Sequence, residues 1–163
     1  MDTYPEYPGD LEVGGSQIVV QFNGLEIDFH FDLNGVESNC SNCGIHIHSG
    51  VTCDSKNEVG GHYWYQNAGA DPWTSLGGAV YNSDHNGRAK SNFDINSGYN
   101  INQNDGHAVV IHDQNGSRIG CGVLSRDFRC PSSTGRKRSK GSKGSKGSKG
   151  TKGKRALRGR GDY

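Results

Sequence analysis

Two histidines lie two residues apart in the segment Gly44-Ile45-His46-Ile47-His48. Successive side chains of a β-strand point to opposite faces, so His46 and His48 would share one face while Ile45 and Ile47 point into a core. Two imidazoles on one face of a strand can reach the same metal ion. Such a pair is also typical of an exposed polar strand face, so further ligands are needed to indicate a site.

Two more histidines stand at the edges of apolar runs. His62 follows Gly60-Gly61, and His112 ends the run Ala108-Val109-Val110-Ile111, with its side chain on the face opposite the core. Imidazole suits copper, and three or four nitrogens in a flattened arrangement are a preference of Cu(II). His46, His48, His62 and His112 therefore predict a copper site. We expect the remaining histidines on the solvated surface, namely His30, His85 and His107.

Short strands must position these histidines, because the sequence shows no convincing helical pattern. Residues 25–33 alternate strictly, which predicts a half-buried strand. Residues 18–22 alternate likewise, and Asn23-Gly24 supplies a hairpin turn between the two runs. The apolar face of the longer run is Leu25, Ile27, Phe29, Phe31 and Leu33, and further runs lie at 44–48, about 76–82, 87–95, 107–112 and 117–124. With a weak eighth strand near 10–13, the pattern predicts an all-β Greek-key β-barrel, or immunoglobulin-like sandwich, of seven to eight antiparallel strands.

The charge is divided sharply along the chain. From Gly135 to Tyr163 there are twelve Lys or Arg and one acid, a net charge of +11, whereas the rest of the chain carries a net charge of −10. A Ser-Lys-Gly repeat with so few apolar side chains cannot offset the entropy of ordering it. We therefore predict an N-terminal extension or truncated first strand at 1–15, a folded domain at 16–131 and a disordered basic tail at 132–163.

Four blocks of the sequence together resemble the motif series of the copper/zinc superoxide dismutases. The resemblance covers roughly residues 16–124 and implies that His46, His48, His62 and His112 are the copper ligands. It further implies that Arg118 docks superoxide beside the metal, and that Cys53 and Cys121 form the intrasubunit disulfide. The four blocks are Gly44-Ile45-His46-Ile47-His48, Gly61-His62, Val109-Val110-Ile111-His112-Asp113 and Gly116-Ser117-Arg118-Ile119-Gly120-Cys121-Gly122-Val123.

Two departures from that family narrow the resemblance. Residues 63–75 contain no histidine, although the copper/zinc enzymes carry zinc-binding histidines and an aspartate in this loop. A structural zinc site needs about four ligands, and the segment offers only Asp71. Residues 113–117 alone separate His112 from Arg118, where the family has a long charged loop. Copper-only superoxide dismutases show both losses, so we expect one copper, no zinc and a site near solvent.

The resemblance implies dismutation of superoxide to oxygen and hydrogen peroxide through Cu(II)/Cu(I) cycling, with His62 leaving the metal on reduction to carry a proton. Metal-bound histidines usually donate their second N–H to a carboxylate or carbonyl, and our hypothesis is that Asp71 accepts it from His62. An alternative is a non-catalytic extracellular copper-binding or matrix protein. In either case the basic tail could bind polyanions such as cell wall, silica, nucleic acid or an anionic membrane surface.

Cysteine usage favours an oxidising compartment, because five cysteines are many for a short chain. Cys40 and Cys43 form a C-x-x-C. We interpret the pair as a local disulfide, or as two cysteines of which one is bonded to Cys130. Residues 1–8 lack the basic and apolar regions of a signal peptide, and no apolar run approaches the length of a membrane span. We expect an extracellular or cell-surface location with the leader outside this sequence, and a cytoplasmic location as the alternative.

Overall fold

The computed structural model describes residues 1–74 and 78–126. Nearly all of the regular structure is β-strand, and all pairings between these strands are antiparallel. The helical elements are one turn each, a 3₁₀ helix at Gln66–Ala68 and α1 at Ile101–Asn104. The strands are β1 (Asp2–Thr3), β2 (Gln17–Asn23), β3 (Glu26–Asn34), β4 (Cys43–His48), β5 (Val80–Tyr81), β6 (Arg88–Asn96), β7 (Ala108–His112) and β8 (Arg118–Val123).

The strands form two sheets, one ordered β1-β8-β7-β4-β5 and the other β2-β3-β6. The prediction of an all-β architecture is confirmed, but the described strands do not form one closed barrel. In the larger sheet, β4 pairs with β7, which is distant in sequence, so that Ile45 lies opposite Ile111 and His48 opposite Ala108. This pairing brings the His46-Ile47-His48 segment beside the strand that ends in His112.

The alternation of β3 builds the main core. Ile27, Phe29 and Leu33 are fully buried, and the ring of Phe29 stacks on Phe93 of the neighbouring strand with 4.9 Å between centroids. Their side chains share one core with Ile45, Ile47, Val109, Ile111 and Ile119 of the larger sheet. Burial of such side chains contributes roughly 1.5–3 kcal/mol each, so this core holds the two sheets together.

A second, smaller core covers the other face of the larger sheet. It joins Tyr4, Val59, Ala108, Val110 and Cys121, and all five are buried. Because the two cores lie on opposite faces of β7, every residue of that strand is buried. His112, which ends this strand, is therefore set in backbone that is packed from both sides.

Three predictions at the margins of the fold were wrong. The eighth strand is Asp2–Thr3, which pairs with β8, and no strand forms at 10–13. Leu25 does not lie on the buried face of β3 as predicted, and it is 45% exposed. Asn23 pairs with Glu26, so Gly24 and Leu25 form the turn between the two strands. His107 stacks on Tyr63 with 3.8 Å between ring centroids instead of lying free on the surface.

The prediction of a disordered tail at 132–163 and the pairing of Cys130 both fall outside the described residues. Within the described part of the chain, no helix is both long and apolar enough to cross a membrane.

Candidate metal centre

Four histidines converge on one face of the larger sheet. His46 and His48 project from β4, His112 ends β7, and His62 forms an isolated antiparallel bridge with His48. One potential ligand atom from each of the four lies within 4.8 Å of all the others. The sequence predicted this set, and the pairing of β4 with β7 is what brings its members together.

Hydrogen bonds fix which ring nitrogen is free in three of the four imidazoles. His48 Nδ1 lies 3.0 Å from the carbonyl oxygen of Gly60, and His112 Nδ1 lies 3.0 Å from that of Gly116. His62 Nδ1 lies 2.7 Å from Oδ2 of Asp71. Carbonyl and carboxylate oxygens only accept, so each Nδ1 carries the proton and each Nε2 keeps its lone pair for a metal.

The fourth ring is oriented by the absence of a side chain at Gly44. A Cβ placed on Gly44 would lie 2.5 Å from both Cε1 and Nε2 of His46, closer than carbon atoms approach in proteins. The imidazole therefore packs directly against the glycine on its Nε2 side. Its Nδ1 is buried and has no hydrogen-bond partner among the described residues, which leaves that atom as the candidate ligand.

Burial keeps three of the rings uncharged, those of His46, His48 and His112. It lowers the pKa of His46 to about 2, with further lowering from the neighbouring histidines. Burial likewise lowers the pKa of His48 to about 3, opposed by the Gly60 hydrogen bond and assisted by the nearby positive charge of Arg118. The pKa of His112 is also lowered, mainly by burial. A metal binds neutral imidazole, so the three rings are in the binding form at neutral pH.

The donor set fits a metal ion. His46 Nδ1, His48 Nε2 and His112 Nε2 are all buried without a partner in the described part of the chain. Buried polar atoms in proteins are nearly always hydrogen-bonded, and leaving one unpaired costs about 1–3 kcal/mol. Three such lone pairs beside one another are explained by a cation that they share, and an all-imidazole set suits copper.

His62 differs from the other three histidines in being the most exposed of them. Its side chain is 25% exposed, and that of Asp71 is 23% exposed. The second oxygen of Asp71 accepts from the backbone N–H of Trp73 at 2.9 Å, and Trp73 is fully buried with its indole N–H donated to the carbonyl of Tyr63 at 2.7 Å. The carboxylate is therefore held firmly against His62, at the nitrogen where our hypothesis placed it.

Arg118 lies at the start of β8 and points toward the same cluster. Its Nη2 donates to the carbonyl oxygen of Gly60 at 2.7 Å, which is the same oxygen that accepts from His48. Its Nη1 donates to the hydroxyl of Tyr4 at 3.0 Å. The sequence pattern indicated Arg118 but neither of its partners, because a backbone carbonyl leaves no sequence signal and Tyr4 is 114 positions away.

Two disulfides lie near the centre. Cys53 is bonded to Cys121 with 5.9 Å between their Cα atoms, which ties the loop after β4 to β8. Cys40 is bonded to Cys43 with 6.1 Å between Cα atoms, just before and at the start of β4. These bonds fix the backbone on either side of His46 and His48.

No protein-family model and no curated protein matches this chain. Chains of solved structures do match it, and one of them is a point mutant of superoxide dismutase 5 from Candida albicans. That match has 21% sequence identity and a TM-score of 0.50, and it covers 77% of this chain and 90% of the other. At this identity the likeness concerns the fold alone. The chain thus shares the all-β fold of that superoxide dismutase.

Proposed function

We propose that the chain is a copper-only superoxide dismutase that converts superoxide to oxygen and hydrogen peroxide. The observation that carries the proposal is the group of four histidines with their ligand atoms within 4.8 Å of one another, three of them buried. The shared fold with a superoxide dismutase supports it. His46 would bind through Nδ1, and His48, His62 and His112 through Nε2. Bound copper would supply one-electron chemistry by alternating between Cu(II) and Cu(I).

His62 would carry a proton to the product. The Asp71 carboxylate accepts its Nδ1–H at 2.7 Å, which fixes the tautomer and the orientation of the ring. The ring is the most exposed of the four, so its Nε2, when it is not bound to the metal, would be able to carry a proton from solvent to the product. The two superoxide ions consumed require two protons to give one hydrogen peroxide, and His62 would deliver one of them.

Arg118 would attract and orient the anion. A guanidinium is always charged at neutral pH and presents several N–H donors in a fixed plane, which suits a small oxyanion. The described residues place no carboxylate within ion-pair distance of Arg118. Its positive charge is therefore available to an incoming anion near the histidines.

We further propose that the site uses no zinc. In the copper/zinc superoxide dismutases that the chain resembles, zinc would bind the ring nitrogen of this histidine that faces away from copper. In this chain that nitrogen, Nδ1 of His62, already donates to Asp71. Asp71 uses its other oxygen for the backbone of Trp73. The arrangement therefore supplies the orientation of His62 from the protein itself.

The test is metal reconstitution followed by an assay. The chain, freed of metal and offered copper and zinc together, should retain one copper and no zinc and should consume superoxide. An Arg118→Ala variant should keep its copper but lose most of the rate. Bound zinc would contradict the zinc-free site, and a copper-loaded protein without activity would reject the enzymatic proposal.

The alternative is a non-catalytic copper-binding or matrix protein that is anchored to polyanions, and the observation that favours it is the net charge of +11 in the last 29 residues. A segment with this charge would bind polyanions in a salt-sensitive way. Removing the residues after Thr134 should abolish binding to an anionic polysaccharide column while leaving the copper content unchanged. Because the chain forms two disulfides, we propose an extracellular or cell-surface location for either function.

A further inference from the structure

We propose that Tyr4 positions Arg118, so that the N-terminal segment is part of the anion-binding side of the metal centre. The catalytic consequence of this inference rests on the proposed function, but the contact itself does not. Tyr4 would not touch the substrate or the metal. It would act through the guanidinium, as a positioning residue.

The contact between the two side chains is twofold. Arg118 Nη1 donates to the phenol oxygen of Tyr4 at 3.0 Å, and the guanidinium carbon lies 5.8 Å from the centre of the Tyr4 ring. The phenol in turn donates its own proton to the carbonyl oxygen of Lys56 at 3.3 Å. Because the hydroxyl proton is committed to Lys56, its lone pairs face the arginine and accept from it.

Tyr4 can hold the arginine because its own position is fixed. The backbone N–H of Tyr4 donates to the carbonyl of Ile119 at 2.9 Å, and Thr3 pairs with Gly120 in the sheet. The side chain is 7% exposed and packs in the second core with Val59 and Cys121. The short strand β1 thus places the buried phenol of Tyr4 next to Arg118, the first residue of β8.

The arrangement leaves Arg118 both restrained and available. Two of its five N–H donors are used, one by Tyr4 and one by the Gly60 carbonyl. Arg118 also borders a groove of about 770 Å³ that the N-terminal segment lines on the other side. The nearby Lys56 is paired with Glu6 at 2.8 Å, so Arg118 is the cation of this groove that lacks an ion-pair partner among the described residues. A restrained cation loses less entropy when it captures an anion, and the Tyr4 contact would therefore raise anion affinity.

The first experiment tests the contact without any metal. In metal-free, ¹⁵N-labelled protein, the Arg118 side-chain N–H signals should be protected from exchange, and Tyr4→Phe should broaden or shift them. Tyr7→Phe is the matched control, because Tyr7 comes from the same segment and packs against the same second core. Unaltered Arg118 signals in Tyr4→Phe would overturn the inference at its first step, whatever the function of the protein.

The second experiment tests the consequence in copper-loaded protein, with azide as the anion. Tyr4→Phe should weaken azide binding by about three- to tenfold, the range for the net loss of one hydrogen bond, with the visible copper spectrum unchanged. In an Arg118→Lys background the same substitution should have no further effect. Azide affinity equal to wild type in Tyr4→Phe, or an equal loss in both backgrounds, would refute the positioning role.

These outcomes separate the inference from the proposed function. If Arg118→Lys leaves azide affinity unaltered, the proposed role of Arg118 fails while the Tyr4 contact can still be detected in the metal-free protein. If Arg118→Lys weakens azide binding and Tyr4→Phe does not, the function stands and the inference falls. Thermal unfolding of each variant checks that Tyr4→Phe remains folded.

Discussion

His48 and Arg118 donate to one acceptor, the carbonyl oxygen of Gly60, at 3.0 and 2.7 Å. A proposed metal ligand and the cation proposed to attract the substrate are therefore oriented by the same peptide group. Gly60 lies at the end of the loop that follows β4, and the backbone of that loop is tied by hydrogen bonds from Gly50 to Val59 and from Ser49 to Gly61. The geometry of the centre thus depends on how firmly this loop is held.

The Cys53–Cys121 disulfide is the main covalent restraint on that loop, and we expect its removal to cost stability. The bond closes a loop of 68 residues, and the chain-entropy relation gives a loss of about 4 kcal/mol in the free energy of unfolding. Urea unfolding of a Cys53→Ala/Cys121→Ala variant measures it. The matched control is Cys40→Ala/Cys43→Ala, whose bond spans a sequence separation of 3 and should cost less. A larger loss in the control would contradict the entropic account.

Asp71→Asn should weaken copper binding by about 10- to 100-fold, the usual cost of losing a group that orients a metal-bound histidine. Asn keeps the shape of the side chain but removes the negative charge that stabilises the Nδ1 proton of His62. Competition with a copper chelator measures the affinity. Asp94→Asn, an exposed substitution on β6, serves as the control. Wild-type affinity in Asp71→Asn would remove Asp71 from the site.

The sequence predicted which four histidines lie close together better than it predicted what surrounds them. The His46–His48 pair and the alternation of β3 obey the two-residue period of a strand, and that period depends only on local geometry. Tyr4 and the shared Gly60 carbonyl could not be predicted, because they depend on how distant segments pack and on a backbone atom that every residue has. The prediction that His107 is solvated was wrong for the same reason: its stacking on Tyr63 arises from tertiary packing between segments 44 residues apart in the chain.

The metal-free protein should lose stability as the pH falls below about 6.5. His46 and His48 titrate near 6.5 in the unfolded chain, whereas burial lowers their folded-state pKa values to about 2 and about 3. Between these values the unfolded chain binds more protons than the folded one, so acid favours unfolding. Each ring contributes a slope of about 1.4 kcal/mol per pH unit in this window.

Urea unfolding at several pH values, with a chelator present, checks this expectation. His48→Gln should make the slope shallower because one of the buried rings with a lowered pKa is gone. The exposed His85 provides the control, since His85→Gln should leave the slope unchanged. A stability that is constant from pH 7 to pH 4 would show that the buried rings are protonated in the folded state.

Gly44→Ala should disrupt the metal centre through a single methyl group. The new Cβ would lie 2.5 Å from the His46 ring, so either the imidazole must rotate or the strand must shift. A shift of β4 is opposed by its pairing with β7 and by the burial of Ile45 and Ile47 in the main core. Rotation would move Nδ1 away from the other three ligand atoms, and we expect a loss of at least about tenfold in copper affinity, similar to that for removing a group that orients a ligand. Gly61→Ala is the matched control, because Gly61 precedes His62 yet its Cβ would meet nothing within 4 Å. Copper titration with chelator competition compares the two, and equal affinities would show that the close approach of Gly44 does not orient His46.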